Sequence, residues 1–523
     1  MRKNDVGRGK ARSRLAIALL LGSMLAGCGG GSPGPNAGSG SGAGSQAGSG
    51  PDSNSATLPP EKMTVPRLEL AQTLIQASDD KHLLIISGKP LVVRAFLNTN
   101  KPPATLKLHV SNQENAAGAE VSMDCSRAAF NYSGPFTLAD TGSATPCIAT
   151  LDQDANGRYW ANAGLKLSLA SHDADGKVTA KSDDYDLSAA VRPAMVLPLC
   201  PRLIVDSKGV KPDIRQVKDV EKLRNTVLNV FPFADIQLCP DAFEDLPVEQ
   251  LTIKVAPLST QEKTWQNMDA RQGPVAGALN AWRQTSGTPG YVYLGLLPSA
   301  RGAERNNPPP TEGQYQGAHG VTVTTGGMAM VVSAPAGTGG TSSPAMSDGP
   351  INEFQYYFVI AHELGHALGL KHAPGCSAAG SDPDFPYIAS APGPDPESPR
   401  GTIGNLEQGG AHGYQLYAAS NALSQALAGI AERNAVGYVY NASISQVIGD
   451  APGELPIGSF NSPASPNTQV YDLMNYCSAY YYNKWISDYN YWRVAAITQD
   501  RMQVADDGSV TFKEGNTAIA TGW

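Results

Sequence analysis

The sequence predicts a multidomain chain, a β-sandwich followed by an α+β domain, carried behind a long spacer. Three observations support that division. Residues 28 to 60 are almost entirely Gly, Ser, Pro, Ala and Asn, which leaves nothing to bury and makes a flexible tether. From 61 to 197, short apolar runs recur between turns that contain Pro and Gly, the spacing of a sandwich. From 198 to 523, helical periodicities enter between the strands, as in a domain where helices pack on a sheet.

Residues 1 to 27 read as an export signal. Arg2, Lys3, Arg8, Lys10, Arg12 and Arg14 precede an apolar run, Leu15 to Leu25, too short to span a bilayer. The run ends Leu25-Ala26-Gly27-Cys28, which resembles a bacterial lipobox. That resemblance implies acylation of Cys28, anchoring at the bacterial cell envelope, and, with Gly29 following, the outer membrane. A plain secretory signal is the alternative, and it too exports the chain.

The whole chain carries −8; its first 27 residues hold six basic groups and one acidic, so the rest carries about −13. A chain this acidic is a poor partner for nucleic acid, whose phosphates require a basic surface. Treated as a coil, the tether would hold the folded part roughly 30 Å from the lipid.

The first domain is expected to be immunoglobulin-like. Its strands are Leu68 to Ile75, His82 to Ile86, Leu91 to Leu97, Leu106 to Val110 and Gly164 to Leu169. Gly88-Lys89-Pro90 and Asn100-Lys101-Pro102-Pro103 punctuate them. His82, His109 and His172 have no ligand spacing. Glycan or protein binding, a spacer and a pro-domain all fit this domain equally well.

In the second domain, Val217 to Val230 and Trp265 to Trp282 are expected helices, and Leu251 to Val255 and Tyr291 to Leu297 strands. Val321-Thr322-Val323 and Met328 to Val332 read as an edge strand beside a cleft. The stretches 301 to 318 and 333 to 350 read as loops bordering it. Further on, Leu416 to Arg433 is an expected helix. His412, among Gly409, Gly410 and Gly413, is expected in a loop.

The chemistry is concentrated in His362 to His372, His-Glu-Leu-Gly-His-Ala-Leu-Gly-Leu-Lys-His, which holds three of the eight histidines. Phe354, Tyr357, Phe358, Ala361, Leu364 and Leu368 recur at helical spacing, and Asn352 with Gln355 has the form of a capping box. On that helix His362 and His366 share a face. Gly369 can take the left-handed conformation that turns the chain and returns His372. Three imidazoles with one position left open are the ligand set of a catalytic Zn²⁺ site, and Glu363 is placed as general base.

This HExxHxxGxxH pattern resembles that of metzincin-clan zinc metalloendopeptidases. The resemblance covers the last 325 residues or so, and only the zinc motif within it is highly specific. It implies Zn²⁺ on His362, His366 and His372, peptide-bond hydrolysis by a metal-activated water, and a methionine turn under the metal. Met474, in Tyr471-Asp472-Leu473-Met474-Asn475-Tyr476-Cys477, matches that turn. Tyr476 matches a tyrosine that in some metzincins stabilises the oxyanion. Asp384-Phe385-Pro386-Tyr387 and Trp485-Ile486-Ser487-Asp488-Tyr489 also look like segments of bacterial secreted metzincins. The implied substrate is an extracellular protein or glycoprotein. A rival from another class is a surface adhesin or host-factor-binding lipoprotein with a non-catalytic zinc site.

Apart from Cys28, six cysteines remain: Cys125, Cys147, Cys200, Cys239, Cys376 and Cys477. They admit many pairings. Sequence proximity suggests Cys125–Cys147 and Cys200–Cys239. Cys376 follows the third histidine and Cys477 the methionine turn, so pairing them would join the two halves of the site. The aromatic cluster Tyr480, Tyr481, Tyr482, Trp485, Tyr489, Tyr491 and Trp492 is expected to be core packing, with a carbohydrate platform as the alternative.

Overall fold

The computed structural model describes residues 60–99, 102–126, 128, 146–212, 219–254, 272–298, 320–334, 353–374, 380–386, 412–416, 453–454, 471–475 and 484–513. The signal, Cys28, the tether, the two cleft-bordering loops (apart from residues 333 and 334) and the expected helix after Leu416 lie outside these residues. So do the capping box at Asn352, Cys376, Tyr387, Tyr476, Cys477 and Tyr480 to Tyr482.

The N-terminal part is built in order from β1 (Glu61–Lys62), β2 (Arg67–Ala71), β3 (Leu74–Ala77), β4 (Ile85–Ile86), β5 (Leu91–Phe96), β6 (Thr105–Ser111), β7 (Ala119–Ser122), β8 (Cys147–Leu151), β9 (Lys166–His172), β10 (Val178–Lys181), β11 (Tyr185–Asp186) and β12 (Val191–Arg192). One sheet runs β1-β10-β9-β6-β7, with β11 on β9. The other contains β3-β2-β5-β8 and is extended beyond β3 by β19 (His412–Gln415) and β20 (Gly453–Glu454). Alternation along the strands makes a shared core. Leu106, Leu108 and Val110 of β6 and Leu167 and Leu169 of β9 meet Leu68, Leu70, Val93 and Ala95 of the other sheet. A disulfide joins Cys125 to Cys147 on β8.

Residues 68–75 do not form the single strand expected. β2 and β3 are a hairpin with Ala71 opposite Ile75. The buried Gln72 side chain makes the reversal possible. Its Oε1 accepts from Ile86 N at 2.7 Å, and its Nε2 donates to Ile86 O at 3.0 Å and Lys89 O at 3.2 Å. These bonds replace the ladder partners the reversal gives up.

The C-terminal part follows as β13 (Val196–Val205), α1 (Val220–Val230), β14 (Asp235–Leu238), β15 (Asp245–Pro247), α2 (Gln272–Ser286), β16 (Val292–Pro298), β17 (Gly320–Thr322), β18 (Ala329–Ala334), α3 (Glu353–Ala367), β21 (Tyr471–Asp472), β22 (Lys484–Trp485), α4 (Asp488–Arg501), β23 (Met502–Val504) and β24 (Val510–Phe512). Its main sheet has the order β14-β13-β16-β18-β17, with β15 also on β13. Pairing is parallel except at β17, which runs antiparallel on the edge.

Both faces of the central strand are buried, as its continuous apolar run requires. Val292, Leu294 and Leu296 share a core with residues of α1 and α3, while Tyr293 and Leu297 pack with Val275 and Leu279 of α2. Gly295 allows α2 this close, because a Cβ there would meet Ile204 Cδ1 at 2.7 Å and Leu279 Cδ2 at 2.9 Å. The second disulfide, Cys200–Cys239, ties β13 to the residue after β14.

Three further expectations are corrected. Leu251 to Lys254 are not a strand; they follow the helical turn Val248–Gln250, and Leu251 and Ile253 are anchored in the core beneath α2. Burial of two side chains therefore produced the apolar pattern, without a ladder. His412 is not in a loop but in β19, opposite Ile75 of β3. Pairing with an open sheet edge overrides the loop preference of its glycine neighbours. Finally, the boundary at 197/198 is not clean: β13 begins at Val196, and the sandwich sheet takes up strands from residues 412–454.

Candidate metal centre

Helix α3 carries His362, Glu363 and His366, and its periodicity sets the first and third on one face with ring centroids 4.9 Å apart. The helix stops at Gly369, whose φ of +94° is strained for any residue with a side chain. Gly369 N donates to His366 O and Leu370 N to Gly365 O, both at 2.9 Å, closing the helix end as the chain reverses. The reversal brings the His372 ring to 4.5 Å from that of His366 and 5.6 Å from that of His362.

The donor set fits a zinc ion. One ligand atom from each histidine lies within 4.8 Å of the other two, and His366 Nε2 and His372 Nε2 are 2.9 Å apart. His362 Nδ1 donates to Leu473 O and His366 Nδ1 to Leu370 O, each at 2.8 Å. Those bonds put the ring proton on Nδ1, so that Nε2 is the nitrogen that would coordinate a metal on each of these two rings, and they hold the rings in place. Burial, with His372 alongside, pushes His366 down to about 4, so it is neutral and ligand-competent near pH 7.

Glu363 is 6% exposed, and burial raises its carboxyl to about 7 against the opposing hydrogen bond from Thr322. The Thr322 hydroxyl lies 2.8 Å from both Oε2 and the main-chain O of Glu363. Two residues earlier on the same face of β17, Gly320 lets the strand lie against the helix; a Cβ there would meet Glu363 Cγ at 2.6 Å. By pattern alone 321–323 is an edge strand, and neither Gly320 nor Thr322 stands out. The available signal was a glycine and a hydroxyl at alternate positions ahead of the motif helix.

Met474 is fully buried and lies against Gly365, where a Cβ would come within 2.5 Å of its Sδ. Asp472 holds this turn. Its Oδ1 accepts from Met474 N at 2.8 Å and Asn490 Nδ2 at 3.0 Å, and its Oδ2 from Ser487 N at 2.8 Å. The turn also grips the segment after the third histidine, through Ala373 N to Met474 O and Asn475 Nδ2 to Pro374 O, both 3.1 Å.

A buried ion pair steadies His372 from its other side. Asp382 N donates to His372 O at 2.8 Å. The Asp382 carboxylate pairs with Arg493 of α4 and accepts from Tyr489 OH at 3.2 Å. Neither Asp382 nor Arg493 stood out in the sequence, because their pairing spans more than a hundred residues. Trp485, Tyr489 and Tyr491 are buried in the core rather than exposed as a platform. Cys200, Cys239 and Asp241 also cluster, but the two sulfurs are bonded to each other. Tyr476 lies outside the described residues. No protein-family model matches the chain, and a search of curated proteins returns no match.

Proposed function

We propose that the protein is an exported, lipid-anchored zinc endopeptidase of the metzincin type, acting on extracellular proteins or glycoproteins. The observation that carries this reading is the trio of imidazoles with a buried carboxylate, Glu363, next to the first of them in sequence. His362, His366 and His372 would hold Zn²⁺, which when bound acidifies a water and polarises a carbonyl. Glu363 takes the water's proton and delivers it to the departing amine. A carboxyl held near 7 by burial suits both transfers. Thr322 fixes the orientation of that carboxyl. The edge strand β17 offers main-chain groups along which an extended peptide can pair, presenting its scissile carbonyl to the centre.

The test is zinc content and peptide hydrolysis of the purified protein beside Glu363→Gln. The reading requires a variant that keeps zinc and does not cleave; a cleaving variant removes Glu363 from its role. Zinc without hydrolysis in the wild type would return the chain to the adhesin reading. Incorporation of labelled fatty acid, lost in Cys28→Ala, tests the anchor.

A further inference from the structure

We infer that the β2–β3 hairpin of the sandwich is a positioning element of the metal centre, acting through Trp485. The inference rests on the reading above for the identity of the metal, and on the structure alone for the connection.

Three hydrogen bonds run from the sandwich to the first histidine. Trp485 Nε1 donates to Thr73 O at 3.0 Å. Leu473 N donates to Trp485 O at 2.6 Å. His362 Nδ1 donates to Leu473 O at 2.8 Å. Trp485 is 5% exposed and Leu473 fully buried, so water cannot replace a lost partner, and a displaced link must move its neighbour.

Thr73 is itself clamped. Its hydroxyl accepts from Lys89 Nζ at 3.0 Å, and the same ammonium donates to Leu228 O and Phe231 O at the end of α1. Lys89 is completely buried. Helix α1 in turn meets the motif helix, where Tyr357 OH donates to Asp219 O at 3.5 Å. The hairpin tip is thus fixed to the helix layer by a side chain and to the methionine turn by its main chain. Since β19 also pairs with β3 of the hairpin, the two parts of the chain are interlaced. The sandwich is therefore packed against the elements that hold the histidines.

The test uses the full-length zinc-loaded protein and Trp485→Phe, which keeps an aromatic ring and removes the Nε1 donor. Trp160→Phe, in the sandwich core away from this path, controls for loss of a buried indole. Two readouts need no substrate: the rate of zinc transfer to a chelator, and amide exchange at Leu473 in the metal-free protein. Trp485→Phe should release zinc about 2- to 10-fold faster and expose the Leu473 amide to faster exchange, with kcat reduced and KM unchanged. Trp160→Phe should do neither.

A folded Trp485→Phe with wild-type zinc release and Leu473 protection overturns the inference. If Trp485→Phe does not fold, Thr73→Val, which removes the hydroxyl from Lys89, should accelerate zinc release in the same direction; no acceleration overturns it. A wild type that binds zinc and cleaves nothing defeats the peptidase reading alone. A cleaving protein whose variants hold zinc unchanged defeats this inference alone.

Discussion

The hydroxyl of Thr322 stands 2.8 Å from Oε2 of Glu363, joining the edge of the sheet to the carboxylate that follows the first histidine of the motif helix. That bond favours the charged carboxylate, while burial opposes it and prevails, leaving the group near 7. A general base works only when deprotonated, so hydrolysis should rise with pH through this group. A bound dication also favours the carboxylate, which puts the acid limb at or below about 7. Thr322→Val removes the stabilising bond and should move the limb of kcat/KM to higher pH. A limb that stays put would show that Thr322 has no hold on the base.

Glu363→Gln should lower hydrolysis by about 10²- to 10⁴-fold while zinc stays bound. The same change should stabilise the metal-free protein. With the folded carboxyl raised from 4.5 to about 7, the stability it contributes is full below 4.5 and is lost as pH rises through about 7. Glutamine has no such loss, so denaturation at pH 8 should find the variant more stable by on the order of 1–3 kcal/mol, and near parity at pH 4.

His366 works in the opposite sense. Its folded value falls from 6.5 to about 4, so the unfolded chain binds more protons across that window and stability is lost on acidification from 6.5 to about 4. In Glu363→Gln, where the opposing carboxylate is gone, metal-free stability should climb with pH between those values. A flat profile would mean that the His366 imidazole is not held neutral.

Arg493→Met should cost about 3–5 kcal/mol, because it leaves the Asp382 carboxylate buried without its cation. Through the link from Asp382 N to His372 O, zinc affinity should also fall about 10- to 100-fold. The double variant Asp382→Asn, Arg493→Met should unfold at a higher temperature than Arg493→Met alone. Equal midpoints in calorimetry would contradict the pairing.

Gly320→Ala should separate β17 from the helix, since the added methyl meets Glu363 Cγ at 2.6 Å and Val359 Cγ1 at 2.9 Å. Overpacking of this kind costs about 1–3 kcal/mol. Peptide hydrolysis should fall further than the loss of folded protein accounts for; proportional losses in both would remove Gly320 from the site.

Much of the centre is local in origin and could be read directly. His362, Glu363 and His366 follow from helical spacing, and the return of His372 from a glycine that alone tolerates a φ of +94°. Cys125–Cys147 and Cys200–Cys239 were legible from proximity, and both are bonded. Residues 251–254 look like a strand in sequence because a buried apolar pair gives the same pattern whether it caps a core or joins a ladder. The hairpin at 68–75 is not legible in sequence because Gln72 holds the turn through groups contributed by Ile86 and Lys89.

What the sequence determined by itself is the spacing of the histidines, the carboxylate beside the first of them and the turn that gathers the third imidazole, all set within eleven consecutive residues by backbone geometry. What only the tertiary structure decided is how that trio is held: Leu473 against His362, Asp382 and Arg493 behind His372, Thr322 on Glu363, and the sandwich hairpin against Trp485. Those contacts join residues far apart along the chain. Their energies come from burial and from hydrogen bonds whose partners no periodicity can name, so they exist only once the chain has folded.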